Sequence, residues 1–169
     1  MPAIELAAAQ LLAGHAPESV LKETTTLEVL RQAQRLGQLW VALADDVAVG
    51  FAHGEVIESG GAHLDEIDVD PAHGRQGLGT RLVMKVCEWA AGNGYGWVTL
   101  TTFRHIAWNM PFYARLGFEI VPHAELSEAL YAIVEDETRR GLDPARRVVM
   151  RRSLRAIDRM DRGQDRPGR

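Results

Sequence analysis

The spacing of apolar positions changes several times along the chain, and each change marks an element. Ile4 to Leu12 is apolar enough for a first helix. Thr25-Thr26-Leu27-Glu28 reads as a capping box that opens a second helix, which runs to Leu36 and stops at Gly37. Leu39 to Leu43 and Val47 to Val56 read as two strands turned at Asp45-Asp46. Gly60-Gly61 turns the chain again into an alternating third strand, Ala62 to Val69, ended by Asp70-Pro71 because proline has no N–H for a ladder. Beyond a glycine-rich turn, Leu78, Leu82, Val83, Val86, Cys87 and Ala90 recur at helical spacing, and Gly92, Gly94 and Gly96 end that helix. Then follow a strand over Trp97 to Thr102, a helix around Trp108 to Leu116 and a strand from Gly117 to Val121. Ser127 caps a helix through Arg140, with Gly141 and Pro144 beyond, and Arg147 to Leu154 returns as a last strand. A three-strand meander followed by alternating helices and strands predicts a mixed sheet of about six strands in an α+β fold.

Composition narrows the class. With 169 residues, 46% apolar and 25% charged, the chain suits one domain with an ordinary core. No apolar run approaches the ~20 residues that span a bilayer, and the opening Met1-Pro2-Ala3-Ile4-Glu5 lacks the basic start of a secretory signal. Cys87 is the only cysteine, which leaves neither an internal disulfide nor a cysteine-rich zinc site. These features predict a cytoplasmic protein with no membrane partner. From Arg139 onward, eleven arginines face only Asp143, Asp158, Asp161 and Asp165, so the remainder of the chain is strongly acidic. Between Arg35 and Arg75 there is no lysine or arginine, yet Asp45, Asp46, Glu55, Glu58, Asp65, Glu66, Asp68 and Asp70 all occur. The main arginine concentration runs into a polar end rather than striping the body, which argues against nucleic acid as a partner. The predicted organisation is one domain over 1–156 and a polar, disordered tail over 157–169.

The strongest chemical signal is Val69-Asp70-Pro71-Ala72-His73-Gly74-Arg75-Gln76-Gly77-Leu78-Gly79-Thr80, between a strand and an amphipathic helix. Glycines let a backbone approach a ligand, and free N–H groups at a helix start bind phosphate oxygens with help from the helix dipole. A simple strand-to-helix turn is the plain alternative, since a lone Gly-x-Gly is weak evidence. There is no Gly-Lys-Ser/Thr of a P-loop, and Gly77-Leu78-Gly79-Thr80-Arg81-Leu82 lacks the third glycine of a dinucleotide fingerprint.

This block resembles the GNAT superfamily of acyl-CoA-dependent N-acetyltransferases, whose signature is Gln/Arg-x-x-Gly-x-Gly/Ala after a strand that ends in valine. Gly74 to Gly79 supplies it, with Gly74 in the usual Gln/Arg position and Arg75 one place later. A second block agrees in order and spacing: Thr101-Thr102-Phe103, Trp108-Asn109, Phe112-Tyr113 and Leu116-Gly117-Phe118-Glu119. The resemblance covers Leu39 to Val121 closely and the final strand loosely. It implies the three-layer α/β/α GNAT fold, with the family's usual first strand missing because helical sequence begins at Ile4. An uncovered sheet edge of that kind favours a homodimer.

The resemblance further implies acetyl-CoA as cosubstrate, with its pyrophosphate over Arg75, Gln76, Gly77, Leu78, Gly79 and Thr80 and its pantetheine arm along the backbone of Ile67, Asp68 and Val69. Val69 N–H would face the thioester oxygen, Tyr113 would protonate the departing thiolate, and Asn109 and Phe112 would touch the coenzyme or tie the helix start. The acceptor would be a primary amine of a small molecule or peptide. A non-catalytic acyl-CoA-binding regulatory module of the same fold is the alternative. For the proton acceptor, strict alternation puts His63, Asp65, Ile67 and Val69 on one face and Leu64, Glu66 and Asp68 on the other. His63 and Asp65 are the leading candidates and Glu66 the third, with an exposed strand start as their bland explanation. His53, His73, His105 and His123 are too scattered to predict a metal site. Cys87 reads as a core thiol and the four tryptophans as packing.

Overall fold

The computed structural model describes residues 1–154. Helices α1 (Pro2–Ala9), α2 (Glu18–Leu21) and α3 (Leu27–Arg35) precede the sheet, which begins with β1 (Leu39–Ala44), β2 (Val47–Glu58) and β3 (Gly61–Val69). Then come α4 (Leu78–Gly92), β4 (Trp97–Phe103), α5 (Met110–Arg115), β5 (Glu119–Ile120), α6 (Glu128–Arg139) and β6 (Arg147–Ser153). The sheet has six strands in the order β1-β2-β3-β4-β6-β5, with β3 and β4 parallel and the other pairs antiparallel. The α+β fold and the mixed six-strand sheet follow the expectation, and among the described residues no strand precedes Leu39. The predicted tail lies outside the described residues.

Local chemistry sets the boundaries. Asp45 and Asp46 both adopt positive φ, the geometry of a two-residue hairpin turn whose twist matches its strands. At Gly61 a Cβ would stand 2.2 Å from the Trp97 indole nitrogen, so the hairpin end closes on Trp97 only because the position carries no side chain. The cap of α3 is Thr26, which accepts from Val29 N–H at 3.3 Å, and not Thr25 as the capping-box reading has it. Thr25 instead donates its N–H and hydroxyl to Glu5 Oε1, at 2.8 and 2.6 Å. A tertiary contact to α1 therefore overrides the local cap. Ser127 caps α6 as expected, accepting from Leu130 N–H. The helix expected from Trp108 starts at Met110, and Trp108 is exposed rather than packed.

Two faces result. One carries the main core, where Val83, Val86, Cys87 and Ala90 of α4 meet Ala52, Ala62, Leu64, Leu100 and Met150, with Phe112 and Tyr113 of α5 alongside. On the other, Ile4 of α1 and Leu30 of α3 cover Phe51, and Leu130 of α6 covers Val149. Helices on both faces make three layers.

Candidate active site

The expected alternation of β3 fails at one residue. Gly54 pairs with Leu64 while its neighbour His53 pairs with Glu66, so Asp65 is the extra residue of a β-bulge. The bulge reverses the facing of everything after it. Ala62, Leu64, Ile67 and Val69 turn toward the α4 core, whereas Asp68 stands opposite Phe51, a residue covered by α1 and α3. His63, Glu66 and Asp68 thus share the face predicted to be divided between them, and Ile67 and Val69 leave it. This corrects the face assignment made from strict alternation.

Strands β3 and β4 pair only over Gly61–Trp97, Ala62–Val98 and His63–Thr99, although β3 continues to Val69 and β4 to Phe103. From residue 64 onward that edge of β3 is open. Asp70 N–H bonds to Val49 O on β2, and N–H groups of successive strand residues point to opposite edges. The N–H groups of Val69 and Ile67 therefore point into the opening.

The loop beyond β3 is built to expose its amides. Asp70 accepts from Ala72 N–H at 2.9 Å and caps a short turn of helix over Pro71–His73. Arg75 and Gly77 then take positive φ, 59° and 77°, which aligns successive peptide units ahead of α4. Among the described residues, no backbone carbonyl outside α4 accepts from the N–H groups of residues 75–80. This is the geometry of an anion cradle at a helix start. A Cβ on Gly77 would meet nothing within 4 Å, and one on Gly79 would lie 3.6 Å from the Phe112 ring. Gly79→Val is expected to fold and yet to weaken coenzyme A binding, because its methyls fill the space between loop and ring. Equal coenzyme affinity by calorimetry would remove the phosphate site.

The predicted proton acceptors separate on inspection. His63 is buried, its Nδ1 2.9 Å from Thr99 Oγ1, and that hydroxyl donates to Ala62 O at 3.2 Å. Since the hydroxyl proton is spent on Ala62, His63 carries its own proton on Nδ1. Burial pushes its pKa down to about 4, so it is neutral at physiological pH. His53, set aside in the sequence reading, is buried on β2 with Nδ1 3.0 Å from Asp65 Oδ2. Burial raises the Asp65 carboxyl, but the hydrogen bond and charge of His53 outweigh it and hold Asp65 below its ordinary value. Burial lifts Glu66 well above the usual carboxylate range, with the charges of Asp68, Asp65 and Glu5 adding to it. Asp68 is lifted to about 7 by burial and then by Glu5.

Tyr113 sits in α5 with its ring against Phe112 and Phe118, centroids 5.0 and 5.9 Å away. Burial, then the charges of Glu66 and Asp68, hold its phenol above its ordinary value. Asn109 caps α5 through its backbone carbonyl, which accepts from Phe112 and Tyr113, so its side chain makes no cap bond. Beside the opening, Glu137 of α6 and Arg147 of β6 form a bidentate pair at 3.0 and 2.5 Å, and Thr101 of β4 bonds to both. Thr101 entered the sequence reading only within a matching block and His53 only as a scattered histidine, while Glu5, Thr99, Glu137 and Arg147 escaped it. Of these only Glu5 had a local signal, as the one charge in the Ala-rich helix Pro2–Ala9.

A parted parallel pair beside an exposed amide loop defines a class of fold, and comparison places the chain in it. An acetyltransferase (GNAT) family model matches residues 7–118, and the chain belongs to that family. Among solved structures, the PaiA N-acetyltransferase of Thermoplasma acidophilum in complex with coenzyme A superposes with TM-score 0.66 at 15% identity, over 90% of this chain and 89% of that one. N-acetylglutamate synthase of Neisseria gonorrhoeae, complexed with coenzyme A and N-acetyl-glutamate, gives 0.67 at 18% identity over 91% of this chain but 32% of its own. Ard1 of Thermoplasma volcanium gives 0.58 at 18% identity, covering 90% and 93%. Among the described residues no helix is long and apolar enough to cross a membrane.

Proposed function

We propose that the protein transfers the acetyl group of acetyl-CoA directly to a primary amine. The observation that carries this reading is the open edge of β3 running straight into a loop with unpaired amides. The amides of residues 75–80 and the α4 N-terminus suit the pyrophosphate, and the free edge at Ile67 and Val69 suits the amide-bearing arm. Val69 N–H is then the donor to the thioester oxygen as charge develops on it.

His53 is the proton acceptor that the geometry favours over His63. Asp65 holds its Nδ1 at 3.0 Å, which leaves Nε2 to take the amine proton and supplies a negative charge beside the imidazolium that forms. As the C–N bond forms and the C–S bond breaks, Tyr113 donates a proton to the leaving sulfur and regains one from solvent. His53→Gln is expected to lower kcat/KM by ~10²-fold or more. His63→Ala is expected to leave the acidic limb of the pH–rate profile in place, because burial, which lowers its pKa to about 4, keeps His63 neutral. A limb lost in His63→Ala and kept in His53→Gln would return the role to His63.

The direct test is release of coenzyme A thiol from acetyl-CoA with a panel of amines. Amine-dependent release supports the transferase. Binding of acetyl-CoA without amine-dependent release would make the chain an acyl-CoA-binding regulatory module instead.

A further inference from the structure

One group of side chains on the α1 face has no part in the scheme above. Glu5 of α1 and Glu66 and Asp68 of β3 each place a carboxylate oxygen within 4.8 Å of the other two. Glu5 is 6% exposed; its Oε1 serves Thr25, while its Oε2 is buried with no hydrogen-bond partner. No ion pair among the described residues includes any of the three. The charges acting on Glu66 and Asp68 are all negative. Such a cluster needs protons or a cation, because three carboxylates drawn together out of water repel one another.

We propose that Glu5, Glu66 and Asp68 bind a primary ammonium group that does not react, so that the acceptor is a diamine or longer polyamine whose second nitrogen enters the opening beside β3. This rests on the acetyl-transfer reading and names its substrate class. The match is stoichiometric. A primary ammonium carries three N–H donors and no acceptor, and its bonds to carboxylates run about 2.7–2.9 Å. Oxygens around a tetrahedral nitrogen at that range stand about 4.5 Å apart, within the separation found here. A nitrogen held through all three N–H groups has no lone pair to attack a carbonyl, so this nitrogen anchors and another reacts. Glu66 and Asp68 flank Ile67, whose N–H points into the opening, so anchor and reaction path share one stretch of strand. A carboxylate on the acceptor would be repelled by the same three groups.

The pH dependence has a fixed sign. The groups facing Asp68 are Glu5 from α1, Glu66 from β3 and Tyr113 from α5, with Asp65 acting on Glu66. As pH falls through about 7, Asp68 takes up a proton and the site loses charge, so the KM for a diamine is expected to rise below that value.

The test compares butane-1,4-diamine with butylamine in the thiol-release assay, and measures diamine binding to the coenzyme A complex by calorimetry. The native chain is expected to favour the diamine about 100-fold in kcat/KM. Glu5→Gln keeps an oxygen for Thr25, and Asp68→Asn removes a buried charge without changing shape. Each is expected to cut that preference at least tenfold and to weaken diamine binding in step. Equal use of the two amines, an unchanged preference in both variants, or magnesium or calcium binding that the diamine fails to displace would overturn the proposal. If no amine releases thiol, the transferase reading fails and calorimetry alone decides the site. Diamine binding lost in both variants then supports it, and absence of binding to the native chain overturns it.

Discussion

Tyr113→Phe is expected to bind coenzyme A as the native protein does and to lose about 10²–10⁴ in turnover. The substitution keeps the ring that packs against Phe112 and Phe118, and no described protein group bonds to the hydroxyl, so the fold loses little. In the proposed mechanism, what it removes is the proton for the leaving thiolate. The phenol stands above its ordinary value through burial and the charges of Glu66 and Asp68, so it is fully protonated at any working pH. A phenol held that high is a reluctant donor to a thiolate, whose conjugate acid lies near ~8.5. A cation bound at Glu66 and Asp68 neutralises two of the groups that hold it up, so arrival of a cationic acceptor is expected to prime the acid. Single-turnover thiol release beside calorimetry of coenzyme binding separates the two roles. Unchanged turnover in Tyr113→Phe, with chemistry limiting, would remove the acid assignment.

The elements that frame the proposed coenzyme site were legible because local chemistry dictates them. Asp45-Asp46 forced the first hairpin, Asp70-Pro71 ended β3, and Gly77 in a left-handed conformation opened α4 where the glycine block stands. The proposed acceptor side was not legible, and the reason is one residue. Ala62, Leu64, Ile67 and Val69 are spaced two, three and two apart, and that central three is the mark of a bulge which strict alternation overlooks. Missing it put His63 on the wrong side relative to Glu66 and Asp68 and left Asp65 without its partner. His53 carried no signal at all, since its meaning comes from a cross-strand neighbour twelve residues away. Glu137 and Arg147 likewise meet only because β6 returns against β4 and brings α6 with it. Pairings set by sheet register are invisible to a reading that moves along the chain one element at a time.

Arg147→Met is the substitution expected to cost the fold most, about 3–5 kcal/mol, because it leaves Glu137 as a buried charge without its partner. The two side chains are 12% and 10% exposed, and they bind through two hydrogen bonds, 3.0 and 2.5 Å long. Thr101 donates to Glu137 at 2.5 Å and accepts from Arg147 at 2.9 Å, and the guanidinium lies 4.7 Å above the Phe103 ring. No other described cation pairs with Glu137, so the orphaned carboxylate has only the Thr101 hydroxyl to answer it. The double variant Arg147→Met/Glu137→Leu removes both charges together and is expected to recover most of the loss, since a buried pair contributes little once its own desolvation is counted. Urea unfolding of the native chain, the single variant and the double variant measures this directly. The pair sits where α6 crosses β4, next to the point at which β4 leaves β3, and Glu137 is one of the charges acting on His63. The single variant is therefore expected to raise the KM for the amine while coenzyme affinity, which the proposed site places at the α4 end of the opening, holds. If Arg147→Met unfolds at the native urea midpoint, the pair does not clamp α6 to the sheet and that side of the opening is held by its apolar contacts alone.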